Sequence, residues 1–278
     1  MAAPLEIVNV SDVGRKRPHN EDSTVSDTSQ GLVILADGMG GYKAGEVASA
    51  LAVMTILQDV TEGLKRGGAQ SQGSGNGLSP EAALVKNAIQ HANSNIYQLA
   101  HANPQCQGMG TTLVTGLVHN NRISIGNVGD SRLYRLRAGK LQQITKDHSL
   151  IQELIDRGMY TPEEAQARMP KNLVTRALGL DKAVEVDMIE EQVIPGDIYL
   201  LCSDGLNDMV NDEEIHLTLS KYSANLVQAA NSLVQLANSK GGKDNISVIL
   251  VRIKQNEPDP EDGRPFRKIF NRFFEVRG

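Results

Sequence analysis

The stretch Leu32-Val33-Ile34-Leu35-Ala36-Asp37-Gly38-Met39-Gly40-Gly41 decides the reading of this chain. An apolar, strand-like run stops at a carboxylate, and a glycine-rich turn follows. The same ending recurs. Asp130 follows Ile123–Gly129, Asp204 follows Ile198–Ser203, and Asp244 stands just before Ile246–Val251. Asp22 lies between Arg17 and another short strand-like stretch. A carboxylate beside an apolar sheet is costly unless a cation neutralises it. Several of them, converging from distant parts of the sequence, argue for bound metal. Carboxylate, carbonyl and water ligands suit Mg²⁺ or Mn²⁺ better than zinc.

The bulk numbers are those of an ordinary globular protein. The chain has 278 residues, 40% hydrophobic and 22% charged, with a net charge of −5. That charge gives no footprint for nucleic acid. It also disfavours an anionic substrate at long range, so phosphate chemistry would need local cations. Cys106 and Cys202 suggest neither a disulfide framework nor a zinc site. The N-terminus lacks the pattern of a signal peptide, and no apolar stretch approaches ~18 residues. A cytoplasmic location is the expectation.

Working outward, Glu6–Val10 and Gly31–Ala36 read as strands, and Gly45–Val60 as a helix with an apolar face through Val47, Ala48, Leu51, Met54, Ile56 and Leu57. Gly63–Ser79 is rich in Gly, Ser and Gln and reads as a mobile loop. Ser79-Pro80-Glu81 opens a second helix that runs to about His101. Gly108–Thr145 alternates strands and turns, with one strand over Thr111–Val118. Asp147–Glu190 is polar and reads as an insertion between two core strands. Asn225–Ser239 is amphipathic, and the last core strand ends near Lys254. Elements come in blocks rather than in strict alternation, which favours an α+β fold with antiparallel sheets.

Six motifs carry the chemistry: Arg17-Pro18-His19-Asn20-Glu21-Asp22, Asp37-Gly38-Met39-Gly40-Gly41, Gly110-Thr111-Thr112, Val128-Gly129-Asp130-Ser131-Arg132, Ser203-Asp204-Gly205-Leu206 and Asp244-Asn245. Each alone is weak, since an isolated Asp-Gly is usually a turn. Their order and spacing together resemble the metal-dependent serine/threonine phosphatases of the protein phosphatase 2C family, bacterial type, over roughly residues 5–254.

The resemblance implies a four-layer α-β-β-α sandwich: two antiparallel sheets flanked by helices, with an inserted flap at about 147–190. Residues 1–254 would form the catalytic domain and 255–278 a linker and tail. It implies two core Mn²⁺ or Mg²⁺ ions and a third, weaker one. Asp37 would bridge the core ions, with the Gly38 carbonyl as a further ligand. Asp204 and Asp244 would complete the first ion, Glu21 would lean to the second, and Asp22 would hold its waters. Asp130, with Asp204, matches the weaker site. The reaction implied is direct hydrolysis of phosphoserine and phosphothreonine by a metal-activated water. Arg17 would clamp the phosphate bidentately, which a lysine cannot do. Many eukaryotic members carry a histidine after Asp-Gly; here it is Met39, so leaving-group protonation needs another source. His19 and His148 read first as surface histidines, Cys202 as inert core, and Gly110-Thr111-Thr112 as a packing and turn feature. A cognate Ser/Thr kinase and its phosphoprotein substrates are the implied partners.

The tail is distinct. All four Phe of the chain fall at 266, 270, 273 and 274, in a helical pattern ringed by Arg264, Arg267, Lys268, Arg272 and Arg277. Docking on the core, binding a partner, and anchoring at a membrane surface through residues 264–277 all remain open for it.

Overall fold

The computed structural model describes residues 4–41, 44–67, 77–161, 164–165 and 173–255. The strands are β1 (Leu5–Asp12), β2 (Asp22–Asp27), β3 (Leu32–Met39), β4 (Gly110–Thr111), β5 (Leu113–His119), β6 (Arg122–Val128), β7 (Arg132–Arg137), β8 (Lys140–Gln143), β9 (Asp187–Gln192), β10 (Ile198–Cys202) and β11 (Ile246–Ile253). The helices are α1 (Ala44–Lys65), α2 (Pro80–Ala102), α3 (Leu150–Asp156), α4 (Asp204–Asn207), α5 (Asp212–Lys221) and α6 (Leu226–Ser239).

Two sheets form, and the strand pairings within them are antiparallel. One runs β1-β11-β10-β7-β8 and the other β2-β3-β5-β6-β9, with β4 on the end of β3. The layering is written in the two-residue period of the central strands. In β3, Leu32, Ile34 and Ala36 join a core with α1 and α2, while Val33 and Leu35 face the other sheet. In β10, Ile198, Leu200 and Cys202 pack with α5 and α6, and Tyr199 and Leu201 point inward. In β11, Val248 and Leu250 face the helices, and Ile249 and Val251 the opposite sheet. Both faces of these strands are buried, so their apolar runs are continuous rather than alternating. Burying each Leu or Ile contributes roughly 1.5–3 kcal/mol. The result is the expected four-layer sandwich.

Several boundaries differ from the sequence reading. α1 continues to Lys65, past the expected end at Val60. Among the described residues it alone is long and apolar enough to cross a membrane. Here, however, its Ala48, Ala52 and Ile56 stripe is buried against β3 and α2. The expected strand Thr111–Val118 breaks at Thr112, where the chain passes from β4 to β5. The insertion expected at about 147–190 runs into β9, whose Asp187–Gln192 pairs with β6. Asp187–Glu190 therefore belong to the sheet, despite a polarity that reads as loop. α5 was absent from the sequence reading. Its signal is Asn211-Asp212-Glu213-Glu214, a capping box in which Asn211 Oδ1 accepts from the Glu214 amide at 2.9 Å. The expected tail helix, and residues 68–76 of the expected loop, lie outside the described residues.

Candidate metal centre

The pairing of the first and last strands builds the site. Leu5 opposes Ile253 and Asp12 opposes Ile246. Arg17 leaves one end of that ladder and Asp244 enters the same end, so 227 residues of separation reduce to a 2.7 Å ion pair between Arg17 Nη2 and Asp244 Oδ2. β2 and β3 bring the next pair, with Asp22 directly opposite Asp37 in register. Like charges directly opposed across two strands are destabilising. Asp204 enters at the end of β10, as the first residue of α4, and Asp130 follows β6.

Electrostatics ties the five aspartates into one cluster. Asp37 is pushed well above the usual carboxylate range by burial, then by Asp22, Asp204, Asp130 and Asp244. Asp204 is raised likewise, by burial, Asp130 and Asp244. Asp22 and Asp130 are each raised to about 6, chiefly by burial. Glu21 is raised by burial and by Asp244, against the pull of Arg17. Arg17 is half-exposed, and its hydrogen bond to Asp244 raises its own pKa.

The donor set fits a hard divalent cation. Asp22 Oδ1 and Asp204 Oδ1 are buried and have no hydrogen-bond partner. Buried polar oxygens are costly when unpaired. The groups that gather are oxygens, as Mg²⁺ and Mn²⁺ prefer. Among the described residues no three carboxylate, imidazole or thiol side chains close on one point as a finished cage.

Glycine makes the close approach possible. A Cβ on Gly38 would sit 2.1 Å from the Gly45 carbonyl oxygen and 2.7 Å from that of Glu21. One on Gly45 would meet Glu21 Oε2 at 2.9 Å. Any side chain here would force the Asp37 loop away from Glu21.

Around the carboxylates lies a layer of neutral donors that the sequence reading left without roles. Asp22 Oδ2 accepts from Ser203 Oγ at 2.8 Å and from Ser247 Oγ at 2.6 Å. Both hydroxyls hold the carboxylate without neutralising it. Ser247 had a signal, a hydroxyl inside the apolar run of β11. Asn245 Oδ1 accepts from the Glu21 amide at 2.8 Å, and its Nδ2 donates to the carbonyls of Val13 and His19. It therefore joins the Arg17–Glu21 loop to the Asp244 loop. Thr111 Oγ1 donates to the Asp37 carbonyl at 2.8 Å, and the Asp37 amide donates to Thr112 Oγ1 at 3.2 Å. That agrees with reading Gly110-Thr111-Thr112 as packing and turn.

One expectation, at His148, is corrected. Arg132, two residues after Asp130, is anchored by the fold. Its guanidinium is spent on Asp147, at 2.7 and 3.0 Å, and on the Tyr134 hydroxyl. His148 is buried rather than on the surface. Its Nδ1 accepts from the Gly129 amide at 3.0 Å, and its own amide donates to the Gly129 carbonyl at 2.9 Å. The proton must then sit on Nε2, which faces Asp187 Oδ2 at 3.2 Å. This clasp joins the start of the inserted segment to the backbone beside Asp130. Arg176, at the far end of that segment, donates to Asp187 Oδ1 at 2.8 Å. Cys202 is fully buried, with its thiol pushed up to about 12 by burial, as an inert core residue should be.

A cleft of about 540 Å³ opens on this site, lined by Lys16, Arg17, Gly205, Asp208, Met209, Lys243 and Asp244.

Comparison with known proteins fits this geometry. The family model "Protein phosphatase 2C" matches residues 14–239. The chain is 39% identical over 246 residues to serine/threonine phosphatase stp of Listeria welshimeri, covering 87% of this chain and 93% of that one. It is 40% identical over 245 residues to serine/threonine protein phosphatase PstP of Mycobacterium tuberculosis, covering 87% of this chain and 44% of that one. The crystal structure of the M. tuberculosis phosphatase superposes with a TM-score of 0.79 at 38% identity, over 90% of this chain and 99% of that one. A second structure, of the PstP catalytic domain in complex with two manganese ions, gives 0.76 at 38% identity, over 90% and 99%. With the family model spanning most of the sandwich, this chain belongs to the protein phosphatase 2C family.

Proposed function

We propose that this chain is a metal-dependent protein serine/threonine phosphatase, which hydrolyses phosphoserine and phosphothreonine by direct attack of water. The observation that carries the reading is the cluster of Asp22, Asp37, Asp130, Asp204 and Asp244, in which burial and the neighbouring carboxylates raise Asp37 and Asp204 well above the usual range while buried oxygens of Asp22 and Asp204 go unpaired. Such a set is stable as carboxylates only around cations. The relatives, named as serine/threonine phosphatases, supply the substrate class.

Asp37, the Gly38 carbonyl, Asp204 and Asp244 would hold the core ions. Glu21 would reach the second, Asp22 would orient its waters, and Asp130 with Asp204 would serve a weaker third ion. When bound, the ions supply the charge that makes water nucleophilic at neutral pH and offsets the phosphoryl oxygens. The remaining work falls to the chain. Arg17 holds Asp244 in the resting cleft and exchanges that carboxylate for two phosphoryl oxygens, a like-for-like swap of anions that keeps its charge paired. Met39 offers no proton, so none comes to the leaving oxygen from the Asp-Gly loop. A covalent cysteine route is disfavoured by position, since Cys202 is a buried thiol and Cys106 lies in a separate core. Both thiols are free, which accords with a cytoplasmic setting. There the enzyme would oppose a Ser/Thr kinase.

The test is turnover of a phosphothreonine peptide with Mn²⁺, set against Asp37→Asn. The parent chain is expected to release phosphate and the variant not to. No release above the variant's level would overturn the reading.

A further inference from the structure

Arg17 and the aspartates absorb most of the cleft, but not Lys16 and Lys243. These two line the same ≈ 540 Å³ space as Arg17 and Asp244. Both are exposed, and among the described residues neither is held in an ion pair, whereas nearby Lys240 is tied to Glu214 at 2.5 Å.

The backbone that carries them is locked. The Arg15 amide donates to the Gly242 carbonyl at 2.7 Å. Gly14, at φ +79°, lies so close to the Asp244 carbonyl that a Cβ there would sit 2.1 Å from the oxygen. Asn245 Nδ2 stitches Val13 and His19 to the same loop. Two segments more than 220 residues apart are thus joined on either side of Lys16 and Lys243, and both lysines line one cleft. Among the described residues, the other charged groups lining it are Arg17, Asp208 and Asp244. Asp244 is occupied by Arg17, and Asp208 lies toward Asp204 and Asp130, whose pKa values it raises.

A guanidinium suits the planar, bidentate grip on the scissile phosphate. An ammonium on a flexible stem is a point charge and suits an anion of less fixed geometry. We propose that Lys16 and Lys243 form a second anion subsite, which takes a side-chain carboxylate or second phosphate on the peptide beside the residue being dephosphorylated. This rests on the protein-phosphatase reading and adds to it a substrate preference, for acidic phosphopeptides, in a chain whose net charge of −5 would otherwise repel them.

The test compares kcat/KM on three phosphothreonine peptides, with neutral flanks, with Asp and Glu flanks, and with a second phosphothreonine. It uses the full chain with Mn²⁺, alone and as Lys16→Ala/Lys243→Ala. The readout is the ratio of each anionic peptide to the neutral one, in which any general effect on folding or metal content cancels. The ratio should exceed one in the parent, shrink as salt is raised, and fall by roughly five- to tenfold in the double variant, as for two partly exposed ion pairs. Lys16→Glu/Lys243→Glu should push it below one. Whichever anionic peptide shows the effect identifies the group bound. A parent ratio of one, or a ratio unmoved by either double variant, overturns the subsite. If the parent hydrolyses a small phosphate ester but none of the three peptides, the protein-phosphatase reading falls with it. That result differs from failure of the lysines alone, in which peptides are turned over without preference.

Discussion

β10 has an aspartate beyond each end, and the two have opposite surroundings. Asp197, before its first residue, is 2% exposed, yet it is fully answered by the chain. Arg137 Nε and Nη2 donate to its two oxygens at 2.8 and 2.7 Å, and the Ile194 amide adds a third bond at 2.8 Å. Asp204, just past the other end, has a buried oxygen with no partner, and its neighbours are Asp130, Asp244 and Asp208. The same residue type, at the two ends of one strand, is satisfied within the chain where the fold supplies a guanidinium and is left for a cation to answer where it supplies more carboxylates. The counter-charge has to come from solution only at the second end.

That contrast can be broken most sharply by one substitution at each end. Asp204→Asn should remove several kcal/mol of transition-state stabilisation, on the order of 10³-fold or more in kcat/KM with Mn²⁺, with the fold intact. Asp197→Asn should do the reverse, lowering stability by about 3 kcal/mol through the stranded Arg137 charge while the folded enzyme keeps its turnover. Urea melts beside phosphate-release kinetics would decide, and similar activity losses in both variants would abolish the distinction. Asp130→Ala should cost less activity than Asp204→Ala, and equal costs would argue against a separate weaker ion.

A smaller effect is expected at Arg17, the guanidinium paired with Asp244. Arg17→Lys keeps the charge but loses the bidentate grip, so kcat/KM on a phosphopeptide should fall by roughly 10- to 100-fold. A change confined within twofold would mean that only its charge matters. Next comes Asp22→Asn, which retains acceptors for Ser203 and Ser247. It should weaken Mn²⁺ binding, measured by calorimetry, by about 10- to 100-fold, and raise the melting temperature of the metal-stripped protein. A lower melting temperature would mean that the charge itself stabilises the fold.

The smallest effect is in pH. Asp22 and Asp130 titrate near 6 in the native state, against an ordinary 3.8. Between those values the native protein holds more protons than the unfolded chain. As far as these two groups are concerned, the metal-stripped protein should therefore be most stable below about pH 4, and should lose roughly 5 °C in melting temperature as pH rises from there through 6. Mn²⁺ should cancel the loss and release protons on binding. A flat profile without metal would remove the electrostatic basis of the contrast.

Much of this was legible in the chain. Asp37, Asp130 and Asp204 each follow an apolar run and Asp244 stands just before one, and an apolar run bounded by a carboxylate is a local pattern. α2 could be read from Ser79 and Pro80, because a cap is decided within four residues; Ser79 Oγ does accept the Ala82 amide at 3.1 Å. β9 could not. Asp187, Glu190 and Glu191 make it look like surface loop, but their charges are met from elsewhere: Arg176 pairs with Asp187, Arg122 with Glu190 and Arg135 with Glu191. His148 was misread for the same reason. Nothing within several residues of it announces that Gly129 will use both its backbone groups on that one histidine.

What the sequence determined alone is the inventory: oxygen ligands for a hard cation, one arginine to hold an anion, and continuous apolar runs that commit each central strand to two buried faces. These are local, fixed by side-chain chemistry and by the alternation of the pleat. Only the tertiary structure decided the partners. The β1–β11 register brings Arg17 to Asp244, the β2–β3 register sets Asp22 against Asp37, and the same topology gives Arg137 to Asp197 and leaves Asp204 without a cation. Charge compensation acts through space over a few ångströms, and distance along the chain carries no record of it.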